Sequence, residues 1–259
     1  MFGLDGVHLG PLAGVLLLAT RFGALLLMSP PIGGRSIPAM VRLAVVITLA
    51  VCFASISADS RAAPVVDWTL WSFVAALATE AAIGATMAVG LQLAFAAFAI
   101  GGRLLDTQIG FGIGQVVNPL TRQPQPILTG LLGQFALVLF FSTDAPHGLL
   151  RGLALSVEAY PPGAHWAPST ALGAVTMQAS GLFALGFAIV APVVIGLLLV
   201  DLGLGLLSRT LPQMNMFAMG VPVKIIVGLA ALAAWTVGSL GLMTRTHRVL
   251  FQGWEAMFR

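Results

Sequence analysis

From Trp68 to Leu105 the sequence runs without a proline and with only Glu80 and Arg103 carrying charge. As a helix rising 1.5 Å per residue this stretch is roughly 57 Å long, whereas the hydrocarbon of a bilayer is about 30 Å thick. Few folds are open to a segment so long and so apolar. It crosses a membrane and projects well beyond it, or it bends near Gly84, Gly90 or Gly101-Gly102. The rest of the chain is built alike: of 259 residues, 58% are hydrophobic and 8% charged. Soluble domains carry roughly 25% charged residues, so these charges are too few to cover such a core in water. The class is all-α, a polytopic integral membrane protein. A closed β-barrel would instead show short alternating segments.

The apolar pattern divides into six simple spans within one domain, residues 1–259. The first runs from Pro11 to Met28 and stops at Pro30-Pro31, and the second from Pro38 to about Ser57. The third is the long run described above, and the fourth is Ile127 to about Ser142. The fifth, Thr170 to Leu211, is again too long for one crossing and contains Pro192. The sixth is Val223 to Met243, followed by the tail TRTHRVLFQGWEAMFR. No Lys or Arg precedes the first apolar run and no small-residue cleavage site follows it, so the expectation is a retained helix. Cationic loop residues, Arg21 aside, divide six against five between the two sides, which selects no orientation. That balance and the over-long helices both argue against a conventional six-span bundle in lipid.

Charges inside the oil are the next clue. Arg21, Glu80, Arg103, Asp106 and Asp201 lie within or at the edges of apolar runs, where they should face protein or water. Arg103 and Asp106 are three residues apart and share a helix face. They are expected to pair, either capping the third segment or anchoring the chain that follows. Glu80 and Asp201 would suit a proton relay, but no further acidic or His chain accompanies them.

Catalytic chemistry is not in evidence. His8, His147, His165 and His247 are isolated, without metal-ligand spacing. There is no G-x-S-x-G elbow and no phosphate-binding loop ahead of Lys224. No catalytic residue, metal or cofactor is therefore expected. The net charge of +3 comes from scattered arginines without interleaved aromatics, so no nucleic-acid partner is expected either. The single cysteine, Cys52, reads as a packed small residue.

Residues 106–126, DTQIGFGIGQVVNPLTRQPQP, interrupt the oil. Gly110, Gly112 and Gly114 alternate with Phe111 and Ile113, and Asn118-Pro119 follows. Residues 106–122 form a glycine-rich central loop that is either a connection or the closure of a hole. Small residues recur elsewhere too, at Gly84 and Gly90 and at Gly181, Gly186, Gly196, Gly203 and Gly205. They allow close helix approach where lipid supplies no hydrophobic drive. Packing inside the monomer and packing against other subunits both fit, and the excess helix length favours the second. Met214, Met216, Phe217 and Met219 fall in a proline-bounded turn between the last two spans, either packed or forming a compliant surface.

Three stretches carry a resemblance: SPPIGGRSIPAMVRLAVVITLA (29–50), GFGIGQVVNP (110–119) and GLGLLSRTLPQMNMFAMGVPVKIIVGL (203–229). They resemble the FliR/SctT family of type III secretion export-gate proteins, across essentially the whole chain. The third stretch is the most specific, with Arg209, Pro212, Asn215, Phe217, Gly220, Pro222 and Lys224 in order. STDAPHGLLRGLALSVEAYPPG also resembles the family, with Ala145-Pro146 where a glycine often follows the Asp. The resemblance implies a hetero-oligomeric, helical export-gate assembly with FliP and FliQ in the bacterial inner membrane, at the flagellar basal body. FlhB and FlhA would be neighbours, and unfolded flagellar proteins the cargo. It implies a conduit component and no enzyme. It implies that the glycine loop plugs the closed channel, and that the methionine-rich turn lies at the entrance or toward FlhB. The residues agree with the plug: glycine adopts several backbone shapes at low steric cost, Phe111 and Ile113 supply apolar bulk, and Asn118-Pro119 limits the spread of flexibility. A small-solute secondary transporter would show internal repeats and paired broken helices, and no convincing repeat is present. A purely structural scaffold would not need the glycine loop. The injectisome member of the same family is the nearest alternative.

Overall fold

The computed structural model describes residues 10–34, 37–60, 69–111, 115–117, 124–210 and 216–258. Eight helices account for nearly all of them. In order these are α1 (Gly10–Met28), α2 (Pro30–Gly33), α3 (Ala39–Ser60), α4 (Leu70–Ile109), α5 (Ile127–Ser142), α6 (Ala145–Ala159), α7 (Pro168–Thr210) and α8 (Met216–Phe258). Between α4 and α5 lies a small antiparallel ribbon of β1 (Gln115–Val117) and β2 (Pro124–Pro126), with Gln115 opposite Pro126. The all-α expectation holds, with that ribbon as its one departure among the described residues.

Four helices are long and apolar enough to cross a membrane, or five if α5 and α6 together make one broken span, since they meet at 72°. The expected six simple spans are therefore corrected. The two that fall short are α1, whose apolar part is Leu12–Met28, and α5, which has 16 residues and counts only together with α6. Three further differences concern the bounds. The α4 helix runs through Gly84, Gly90 and Gly101-Gly102 as one 40-residue helix. The sixth span and its tail are one 43-residue helix, α8, which begins at Met216 and continues through Pro222. Helix α6 sits where no span was read; Pro146 is its second residue, a position where the missing N–H would have had no partner.

The chain forms two compact units. The first comprises residues up to Gln92, His147–Met177 and Phe251–Arg259. Its core includes Leu18, Phe22, Leu25, Ile83, Met87 and Trp254, all fully buried. Helices α1 and α3 pack together, with Phe22 and Phe53 edge to face at 5.3 Å. On α6, Gly148 and Gly152 are one turn apart, and a Cβ on either would overlap the ring of Phe251 or Trp254. The last turns of α8 are thus seated by two missing side chains. Cys52 is exposed on α3, not packed as expected.

The second unit comprises Leu93–Pro146 and Gln178–Leu250. Phe98, Leu105, Ile109, Leu128, Val190, Leu197 and Leu232 belong to its core. Small residues bring its helices close: Gly186 of α7 faces the backbone of Ala97, and Gly228 of α8 faces Ile109. Pro192 does not end α7. A proline there removes the N–H that the carbonyl of Ala188 would accept and crowds the preceding turn. The next carbonyl, that of Ile189, accepts a 2.7 Å hydrogen bond from the Trp235 indole N–H.

Candidate functional site

The glycine loop begins where α4 ends. Ile109 is fully buried, and Gly110 closes the helix with φ +100° and its N–H on the carbonyl of Asp106. This is the left-handed end that glycine makes at low cost. Asp106 to Ile109 are thus the last turn of α4, and the loop proper starts at Gly110. Phe111 is half-buried against the core of the second unit. Gly112, Ile113 and Gly114 lie outside the described residues, as do Asn118 and Pro119.

The other end of the loop is the start of α5, and here the structure corrects the sequence reading of Asp106. Pro126 occupies the cap position of α5 and offers no side-chain hydrogen bond. Asp106, buried, takes that role from across the loop. Its Oδ1 accepts from the Leu128 N–H at 2.9 Å. Its Oδ2 accepts from the Thr129 N–H at 2.8 Å and the Thr129 hydroxyl at 2.7 Å. These are the second and third N–H groups of the helix, the donors that an N-cap side chain satisfies. Gly102, one turn earlier on α4, faces the backbone of Thr129 so closely that a Cβ would collide with it. The i, i+3 pair with Arg103 is not formed: Arg103 is exposed, and the ion pairs among the described residues are Arg21–Glu80 and Lys224–Asp201. Asp106 joins the last turn of α4 to the first turn of α5.

A second buried polar centre lies in the first unit. The Arg21 Nε donates to Glu80 Oε2, with both side chains essentially inaccessible. Its two Nη groups donate to the carbonyls of Ser156 at 2.7 Å and Tyr160 at 2.8 Å, at the C-terminal end of α6. Glu80 Oε1 accepts the N–H of Gly163, whose φ of +82° makes the turn after α6. Glu80 is therefore committed locally, as is Asp201, whose Oδ1 meets Lys224 Nζ at 2.7 Å. This centre was missed in the sequence except for the oddity of charges in apolar runs.

The methionine cluster is only partly visible. Met214 lies outside the described residues, and so do the side chains of Met216 and Phe217. Met216 to Met219 are helical, in the first turns of α8, rather than in a turn. Met219 is exposed. No group of His, Cys, Asp and Glu among the described residues is arranged to hold a metal.

Residues 12–248 match the family described as bacterial export proteins, family 1. The chain belongs to that family. Its relatives include the flagellar biosynthetic protein FliR of Bacillus subtilis, 32% identical over 82% of each chain. The FliR of Escherichia coli is 30% identical over 83% of this chain and 80% of its own. The secretion system apparatus protein SsaT of Salmonella typhimurium is 31% identical over 62% of this chain and 63% of its own. Membership makes the chain a membrane-embedded component of a bacterial export apparatus.

Proposed function

We propose that this chain is the FliR-type subunit of a flagellar type III export gate in the inner membrane, at the basal body. It assembles with FliP-like and FliQ-like subunits, neighbours FlhB and FlhA, and lines the passage of unfolded flagellar proteins. It is a conduit part and performs no chemistry of its own. The observation that carries the assembly is α7: its 43 residues extend for roughly 65 Å, twice the hydrocarbon of a bilayer. Apolar side chains stand exposed along it, among them Leu172, Phe183, Ile195, Leu199 and Leu206. No single bilayer covers that length, so other protein chains must.

The loop supplies the gate. Its base is fixed by Gly110 and by the Asp106 bonds to α5, and Gly112, Ile113 and Gly114 plug the closed channel. Phe111 belongs to the fixed base, since it packs on the core. Met214, Met216, Phe217 and Met219 form a compliant contact at the entrance or toward FlhB. The similarity to SsaT favours an injectisome role as the second reading. The test is co-expression with FliP-like and FliQ-like chains from the same genome. A discrete hetero-oligomer is expected. A chain that stays monodisperse alone and never joins them contradicts the proposal.

A further inference from the structure

We propose that Lys224 and Asp201 are positioning residues for the glycine loop: their ion pair holds the first turns of α8 in place as the seat of the loop's base. The inference deepens the plug reading proposed above and rests on it.

The seat is one face of α8. Gly110 lies over Val221, and a Cβ on it would touch the valine at 3.8 Å. Ile109, the residue before it, fills the space over Gly228. Phe111 and Ile225 pack against the same core. Val221, Ile225 and Gly228 are spaced by four and then three residues, so they share a face. That face runs for about 10 Å along α8 beside the end of α4.

The face supports the loop only while α8 is fixed about its own axis, and α7 does the fixing. Leu197 approaches Gly228, Asp201 pairs with Lys224, and Leu204 approaches Gly220. On α7 these positions are i, i+4 and i+7. On α8 they step back by four residues each time, an antiparallel register with the ion pair at its middle. The contact on either side of the pair is a leucine against a glycine. Glycine lets two helices come close, but it has no side chain to resist sliding or rotation. The bond from Lys224 Nζ to Asp201 Oδ1, at 2.7 Å, has a fixed length and direction.

Pro222 adds to the need. It lies inside α8 and has no N–H for the carbonyl of Ala218. The turn that carries Val221 is thus held by one helix bond fewer, and Lys224 pins the helix two residues beyond. The two side chains are 21% and 39% exposed. A pair so open to its surroundings contributes little to folding, so it can set the position of α8 without being what keeps the unit folded.

The test uses the complex with FliP-like and FliQ-like subunits in membranes. The chain carries Cys52→Ala, which removes its only cysteine, and Val221→Cys, a near-isosteric change that puts a thiol under Gly110. Labelling of that thiol by a water-soluble maleimide is timed. Asp201→Asn and Lys224→Met should each speed labelling severalfold and make the cells leak small solutes, at wild-type levels of complex. Exchange of the two charges, Asp201→Lys with Lys224→Asp, should bring both readouts back toward the parent. Unchanged labelling in the two single variants overturns the inference, and so does faster labelling that the exchange does not reverse. Permeability separates it from the plug reading. If the single variants label faster but stay tight, while deletion of Gly112 to Gly114 leaks, the pair is not needed for closure and the inference fails. If that deletion also stays tight, the plug reading fails, and the labelling alone decides whether the pair seats the loop's base.

Discussion

The two buried polar centres solve the same problem with opposite charges. At Arg21 the helix end is the C-terminus of α6, whose last carbonyls carry partial negative charge. A guanidinium suits that end, and Glu80 balances it. At Asp106 the open end is the N-terminus of α5, where free N–H groups carry partial positive charge. A lone carboxylate suits it, with no cation required. The comparison teaches that a charge in an apolar run need not mark a conducting path. It can mark a helix terminus that another helix must complete. It also separates their roles: the first centre ties α1, α4 and α6 into one unit, and the second ties the two ends of the loop.

The largest expected effect follows from the asymmetry of buried ion pairs. Glu80→Ala leaves Arg21 buried without its counter-charge, which costs about 3–5 kcal/mol. The prediction is loss of folded chain from the membrane fraction. The double substitution Arg21→Met with Glu80→Met removes both charges and should recover much of the yield. If the double variant is no better than Glu80→Ala, the pair is not what holds this unit.

Asp106→Ala should be milder, since the orphaned groups are ordinary helix N–H donors. The expected loss is roughly 1–3 kcal/mol, read as a lower unfolding midpoint of the detergent-solubilised complex. Asp106→Asn keeps one accepting oxygen and should fall between. The contrast sharpens with Arg103→Ala, which should shift the midpoint by no more than an exposed substitution does, within about 0.5 kcal/mol. An equal loss for Arg103→Ala and Asp106→Ala would restore the i, i+3 ion pair and sink the cap.

The smallest effect concerns Trp235. Trp235→Phe keeps the ring and removes the bond to the Ile189 carbonyl, at a cost of about 1 kcal/mol. Pro192→Ala restores the helix bond to the Ala188 carbonyl and leaves the Ile189 carbonyl as it was, so the cost of Trp235→Phe should be the same in that background. A smaller loss there would mean that the indole compensates for the proline.

These centres were unevenly legible in the sequence. Helix α5 was read correctly because turn residues bound its apolar run on both sides. Helix α6 was not read, because its apolar side is only a thin stripe through Leu149, Leu153 and Val157, beside exposed Arg151 and Glu158. The C-terminal extension of α8 reads as a tail in the sequence, although His247, Leu250, Trp254 and Met257 recur at helical spacing and are buried. Arg21 and Glu80 each stand out as costly in an apolar run, but nothing local joins residues 59 apart. Asp106 was misassigned because the helical i, i+3 rule offered a near partner. The true partner, the start of α5, becomes available only when the loop brings its ends together.

The central claim is that this loop, held at its base, closes the resting channel. The measurement is small-solute permeability of cells expressing the complex with Gly112 to Gly114 deleted, which spares Gly110, Phe111 and the Asp106 cap. The account predicts a complex assembled at wild-type levels in a membrane that leaks small solutes. A complex assembled at those levels and as tight as wild type would make the loop a mere connection.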